Sequence, residues 1–212
     1  MNLLDIIFPP KCVYCNKSGK YICEKCFSKL NNKYLFKKVN NDFFDYFVCG
    51  DFYQGITKIQ IHNFKFHEKS YLYKYFIELI LENKEIYNFL KKFDIITFVP
   101  MTSNKKLIRG YNQSELLAEE LGKSLNINVL NLLDKVKENK VQSSLSGKER
   151  TKNVENVFQF LNQNNCIFNK NIILVDDIFT TGSTIREVSK ILKQNGVNKI
   201  CAFTICKTKY MI

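Results

Sequence analysis

The sequence predicts an α/β fold, an open parallel sheet with helices on both faces, with a small four-cysteine module at its N-terminus. Three observations lead there. From residue 94 onward, short apolar runs alternate with stretches of helical spacing. Ile172-Ile173-Leu174-Val175 is apolar without interruption, as a parallel strand buried on both faces must be. Two Cys-x-x-Cys pairs, Cys12/Cys15 and Cys23/Cys26, stand close together near the start.

Residues 1–30 read as the cysteine module and 31–212 as the α/β domain. Asn31 to Asn41 is polar and basic, which predicts a connector. Phe47 to Phe52 reads as a strand, and Gly55 to Phe66 as a short helix carrying Ile56 and Ile59. Ser70 to Lys92 is helical by the spacing of Leu72, Tyr75, Phe76, Leu79 and Ile80, which are core positions. Asp94 to Val99 is a strand stopped by Pro100, followed by a helix with Leu116, Leu117, Leu121 and Leu125 on one face. Asn128 to Leu133 and Val157 to Leu161 read as further strands, with a long polar loop over 134–153 between them. After 172–175 comes a helix over Ser183 to Asn195 with Gly196 as its C-cap, then a last strand from Lys199 to Ile205. Alternating strands and helices imply right-handed parallel crossovers.

The four paired cysteines have metal-ligand spacing. Seven residues separate the pairs, and Ser18-Gly19 allows a tight turn between them. Two such knuckles face to face offer four thiolates in a tetrahedron, a closed structural Zn²⁺ site with no position left for a substrate. Lys11, Lys17, Lys20 and Lys25 surround the cluster and favour thiolate. Cys49, Cys166, Cys201 and Cys206 are scattered and read as small buried hydrophobes.

The chain has 212 residues, 45% hydrophobic and 25% charged, so a single substantial core is expected rather than disorder. Its formal charge of +12 favours anionic partners. The charge is nearly all lysine; arginine occurs only at Arg109, Arg150 and Arg186, in or beside the segments singled out below. Arginine's planar fork suits bidentate phosphate contacts. The opening residues lack a basic region before their apolar run, and Asp5 interrupts it. The apolar stretch from Tyr71 to Phe93 carries Lys74, Glu78, Glu82 and Lys84, which excludes a bilayer span. A soluble cytoplasmic protein is expected.

The chemistry concentrates at the end of the central strand. Asp176 and Asp177 follow the apolar run, and Thr180-Thr181-Gly182-Ser183-Thr184 leads into a helix. Ligands of open α/β sheets lie beyond the carboxyl ends of the strands. Amides at a helix N-terminus hold phosphate, a glycine lets the backbone approach, and hydroxyls add donors. Paired carboxylates suit vicinal ribose hydroxyls, with Mg²⁺ nearby. A triphosphatase reading needs an upstream G-x-x-x-x-G-K-[ST], but Leu117 and Gln142 stand where the first glycine belongs before Gly122-Lys123 and Gly147-Lys148.

The stretch Ile173-Leu174-Val175-Asp176-Asp177-Ile178-Phe179-Thr180-Thr181-Gly182-Ser183-Thr184 resembles the phosphoribosyl-diphosphate (PRPP) signature of type I phosphoribosyltransferases. The resemblance implies that Asp176 and Asp177 hold the ribose hydroxyls and act in catalysis, and that Thr180, Thr181, Gly182, Ser183 and Thr184 hold the 5′-phosphate. The order of segments across nearly the whole chain also resembles the ComF family, of the ComFC-type competence proteins. The matching stretches are Phe8-Pro9-Pro10-Lys11-Cys12-x-x-Cys15 with Cys23-x-x-Cys26, Tyr53-x-Gly55 through Lys65-Phe66, Arg109-Gly110-Tyr111-Asn112-Gln113-Ser114-Glu115, and Gln142-x-x-Leu145 with Arg150-x-x-Asn153.

By that resemblance Pro100 to Lys106 is the diphosphate loop, with Lys105 and Lys106 suited to it, Arg109 reaches the diphosphate, and Arg150 belongs to a lid over 142–153. The resemblance also implies a role in natural transformation, contact with single-stranded DNA, and partnership with a competence helicase or other DNA-uptake proteins. Two other readings use the same residues. One is a metabolic phosphoribosyltransferase acting on a nucleobase or amine. The other is a catalytically silent DNA-binding or regulatory module.

Overall fold

The computed structural model describes residues 9, 11–12, 15–20, 23–27, 34–39, 41–66, 70–137, 157–161 and 167–208. In chain order the elements are α1 (Glu24–Phe27), β1 (Leu35–Lys38), β2 (Tyr46–Phe52), α2 (Gly55–Phe66), α3 (Leu72–Leu81), α4 (Lys84–Leu90), β3 (Ile95–Phe98), α5 (Ser103–Arg109), α6 (Gln113–Leu125), β4 (Asn128–Val129), β5 (Leu133–Lys135), β6 (Phe158–Phe160), β7 (Asn171–Phe179), α7 (Ser183–Gln194) and β8 (Lys199–Lys207).

Among the described residues the main sheet has six strands in the order β1-β2-β8-β7-β3-β4. All neighbours are parallel except β1, which runs antiparallel to β2. Ile172 to Val175 lie between two parallel partners, paired with Ile95–Phe98 on one side and Ile200–Phe203 on the other. All four are fully buried, which accounts for their unbroken apolarity.

Two cores form, one on each face. Ile61, Phe64, Phe76, Ile80, Leu117 and Leu121, from α2, α3 and α6, pack with Ile173, Val175 and Phe203. On the other face Ile185, Val188 and Leu192 of α7 pack with Ile172, Leu174 and Ala202. The parity of the strand sends odd residues to one face and even residues to the other. Gly122 is required where α6 crosses β4, because a Cβ there would meet the Val129 side chain at 2.5 Å and the Ile127 carbonyl at 2.8 Å.

Five expectations are corrected. The connector over 31–41 contains β1, an edge strand whose charged Lys37 and Lys38 suit a sheet border. The helical stretch 70–92 is two helices, because the Asn83 side chain accepts from the Glu85 and Ile86 amides and starts α4 afresh. The strand over 128–133 is two: β4 joins the main sheet, while β5 leaves it and pairs antiparallel with β6 in a separate ribbon. The proposed loop 134–153 begins inside β5, and its residues from 138 lie outside the described residues. The helix expected from Ser183 forms over Ser183–Gln194, but its C-cap is Asn195, and Gly196 stands one residue beyond with φ +88°.

Candidate functional site

The N-terminal cysteines converge. The four Sγ atoms of Cys12, Cys15, Cys23 and Cys26 lie within 4.8 Å of one another, with Cys15 and Cys23 3.6 Å apart. A tetrahedral zinc with bonds of about 2.3 Å separates its sulfurs by about 3.8 Å, so the donor set fits. Each knuckle turns tightly. The Asn16 amide donates to the Cys12 carbonyl at 2.8 Å, and the Cys26 amide to the Cys23 carbonyl at 2.9 Å. Loss of hydration, followed by hydrogen bonds with Cys15, Cys23 and Cys12, pushes the Cys26 thiol up to about 12. A cation among the sulfurs reverses that logic by stabilising thiolate.

The second centre lies where β3 parts from β7. Pairing with β3 stops at Phe98–Val175, closed by the Val99 amide on the Val175 carbonyl at 3.0 Å. Pairing with β8 continues through Asp176, Ile178 and Phe179. The carboxylates therefore do not end the strand, as the sequence predicts; they stand where one of its two partners has left. That half-open position is the crevice in which an open α/β sheet takes its ligands.

Asp176 and Asp177 are both half-buried and differently held. Asp176 Oδ1 accepts from Ser114 Oγ at 3.0 Å and from the Asp177 amide at 2.9 Å. Asp177 Oδ2 is 2.7 Å from Lys65 Nζ at the end of α2, and the two side chains keep only 14% and 22% of their exposure. Desolvation first, and the neighbouring Asp177 charge second, push the Asp176 carboxyl up to about 7 against the opposing pull of the Asp177 amide, Lys65 and Ser114. Burial works to lower the Lys65 ammonium, but the Asp177 and Asp176 carboxylates outweigh it and leave a net upward shift, opposed in part by Arg109.

The loop after β7 closes a small cavity lined by Asp176 and by residues Ile178 to Ile185. Gly182 takes φ +75° and starts α7 without a capping side chain. A Cβ there would meet the Phe179 ring at 2.4 Å, so only glycine fits. The Thr181 and Ser183 hydroxyls are 2.6 Å apart. The arrangement offers a helix N-terminus, clustered hydroxyls and a carboxylate around one space.

The structure thus brings Asp176, Thr180, Thr181, Gly182, Ser183 and Thr184 around one cavity, with Asp177 beside it. Arg109 ends α5, and its Nη1 donates to Gln113 Oε1 at 2.7 Å. Lys105 is exposed on α5, a helix that replaces most of the expected loop 100–106. Lys106 is 2.6 Å from Glu115. Arg150 and the lid segment 142–153 lie outside the described residues. The sequence alone does not single out Lys65 or Ser114. Both stand inside stretches that carry the ComF resemblance, and that was the available signal.

Comparison with known proteins agrees with this anatomy. The phosphoribosyl transferase domain model matches residues 112–209, and the double zinc ribbon domain model matches residues 3–35. Competence protein F of Haemophilus influenzae is 30% identical over 195 residues, which is 90% of this chain and 82% of that protein. The chain belongs to the ComF family. A ComF relative, competence protein ComFC of Streptococcus pneumoniae, is 30% identical over 73% of this chain and 65% of its own length. The DNA utilization protein YhgH of Salmonella typhimurium is 28% identical over 74% of this chain and 69% of its own. Among solved structures, a hypoxanthine phosphoribosyltransferase from Staphylococcus aureus is similar at 16% identity over 66% of this chain and 67% of that one, with a TM-score of 0.41. The ComF chain thus joins a zinc ribbon to a type I phosphoribosyltransferase-like sheet, and among the described residues no helix is long and apolar enough to cross a membrane.

Proposed function

We propose that the crevice beside β7 binds PRPP together with Mg²⁺, and that the protein works in the cytoplasm in natural competence, in contact with incoming single-stranded DNA. One observation carries the ligand: Asp176 and the loop 180–184 share a cavity. A carboxylate that accepts from hydroxyls, next to a helix N-terminus that takes an anion, matches the two ends of a ribose 5-phosphate. Mg²⁺ supplies charge neutralisation for the diphosphate. The reaction class that fits is transfer of the ribosyl phosphate from PRPP to an acceptor, with diphosphate leaving.

The DNA reading rests on the names of the relatives, competence and DNA utilization proteins, and on the charge of +12. Lysine-rich surfaces hold phosphate backbones by releasing counterions. A competence helicase is the partner that suits this role.

Calorimetry of the full-length protein with Mg²⁺ and PRPP tests the ligand. Absence of binding by wild type, or unchanged binding by the Asp176→Ala/Asp177→Ala double variant, would falsify the site. Turnover against a panel of acceptors separates an enzyme from a PRPP sensor. Single-stranded DNA affinity is expected to fall steeply with salt, and absence of binding at low salt removes direct DNA contact.

A further inference from the structure

The end of α2 is built into the phosphoribosyl site from outside the signature. Tyr111 donates its hydroxyl to the Phe64 carbonyl, and the Tyr111 and Phe64 rings stack with centroids 6.0 Å apart. Those two contacts fix the backbone next to Lys65. Lys65 then reaches Asp177 at 2.7 Å with most of its side chain buried. Placing an ammonium there costs hydration. Arg109 lies two residues before Tyr111, is held by Gln113, and its charge partly opposes that of Lys65. Neither Lys65 nor Arg109 lines the cavity of the loop 180–184. Lys65 therefore meets the carboxylate pair from outside the phosphate loop.

PRPP has two anionic ends, and the loop 180–184 can serve only one. On α5, Lys106 is engaged by Glu115 and Lys105 is exposed to solvent. Lys65 is already at the carboxylates and shielded from water, where a charge acts more strongly than on the surface. We propose that Lys65 is a ligand-contacting residue of this site, its ammonium standing on Asp177 and taking the diphosphate end of PRPP beside Arg109. The inference rests on the PRPP reading above and extends it to a residue of α2.

The test uses the full chain with Mg²⁺ and three probes: PRPP, inorganic pyrophosphate and ribose 5-phosphate. Lys65→Gln keeps a donor for Asp177 but removes the charge. It is expected to weaken PRPP and pyrophosphate about tenfold or more, while ribose 5-phosphate changes by about twofold or less. Lys65→Arg is expected to restore most of the loss. Equal loss for ribose 5-phosphate, or no loss for PRPP, overturns the assignment; the first outcome leaves Lys65 a structural partner of Asp177. Wild type that binds no PRPP removes the underlying reading and this inference with it. Wild type and Lys65→Gln binding equally well remove only the role of Lys65. Amine modification of the wild-type chain, read by mass spectrometry, decides independently of how the variants fold. Pyrophosphate is expected to protect Lys65 and ribose 5-phosphate is not, and protection by both or neither overturns the proposal.

Discussion

Ser114 Oγ donates to Asp176 Oδ1 at 3.0 Å, joining the first turn of α6 to the central strand across 62 positions of sequence. The contact stands on local capping. Asn112 accepts from the Ser114 amide at 3.1 Å and donates its side-chain N–H to the Val99 carbonyl at 3.1 Å. The hydroxyl is thereby aimed from a helix start that is itself tied to the end of β3. Ser114→Ala leaves that carboxylate oxygen with the Asp177 amide as its remaining described donor. A stability loss of about 1 kcal/mol is expected, which is about 2–4 °C in Tm for a chain of this size. Scanning calorimetry checks it, and an unchanged Tm would show that water replaces the hydroxyl.

Asp176 gives a pH dependence with a definite sign. Burial first, and the Asp177 charge second, raise its carboxyl from the ordinary 3.8 to about 7 in the folded state. Between those limits the folded state holds a proton that the unfolded state has lost, so stability falls as pH rises through the window and levels off above it. Asp176→Asn removes this dependence. The variant is expected to gain Tm relative to wild type at pH 8 and to show little difference near pH 4. Binding of PRPP calls for the ionised carboxylate, so wild-type affinity is expected to rise with pH up to about 7. Melting curves and calorimetry at several pH values read both effects.

Gly182→Ala is expected to damage the loop and the core together. The new Cβ would sit 2.4 Å from the Phe179 ring, and alanine disfavours φ +75°. Phe179 cannot retreat freely, since its ring packs on Phe47 with centroids 4.8 Å apart and is 3% exposed. A loss of about 1–3 kcal/mol is expected in urea unfolding, with PRPP binding weakened as well. Full stability of the variant would mean that the loop relaxes without cost.

Zinc content is expected to be one ion per chain, held by Cys12, Cys15, Cys23 and Cys26. Cys15→Ser is expected to lower both the zinc content and the Tm, because a structural site contributes its binding energy to folding. Elemental analysis and melting curves provide the check. A variant that keeps full zinc would point to a different donor set.

Much of the fold is legible in the sequence because burial on two faces forces continuous apolarity. That rule exposes β7 at Ile172–Val175, and glycine punctuation marks Gly196 two residues past the end of α7. The rule does not reach β1, where Leu35–Lys38 is charged because an edge strand has water on one side. Nor does it separate β4 from β5, since two short apolar pieces in a row carry no sign that the second joins another ribbon. The loop 180–184 and Asp176 were legible because their chemistry is local in sequence. Lys65 was not, since one lysine among many becomes distinctive only when the fold brings α2 to Asp177.

The sheet order carries a consequence for how the chain is made. β2 and β7 share no ladder; β8, the last strand among the described residues, lies between them and pairs with both. During synthesis the ribosome releases β2 long before, and β7 shortly before, Lys199–Lys207 emerges, so both present open hydrogen-bonding edges to the cell in the interval. Completion of the sheet is thus a late event. A nascent chain stalled before Lys199 is expected to depend on chaperones that the finished protein can do without.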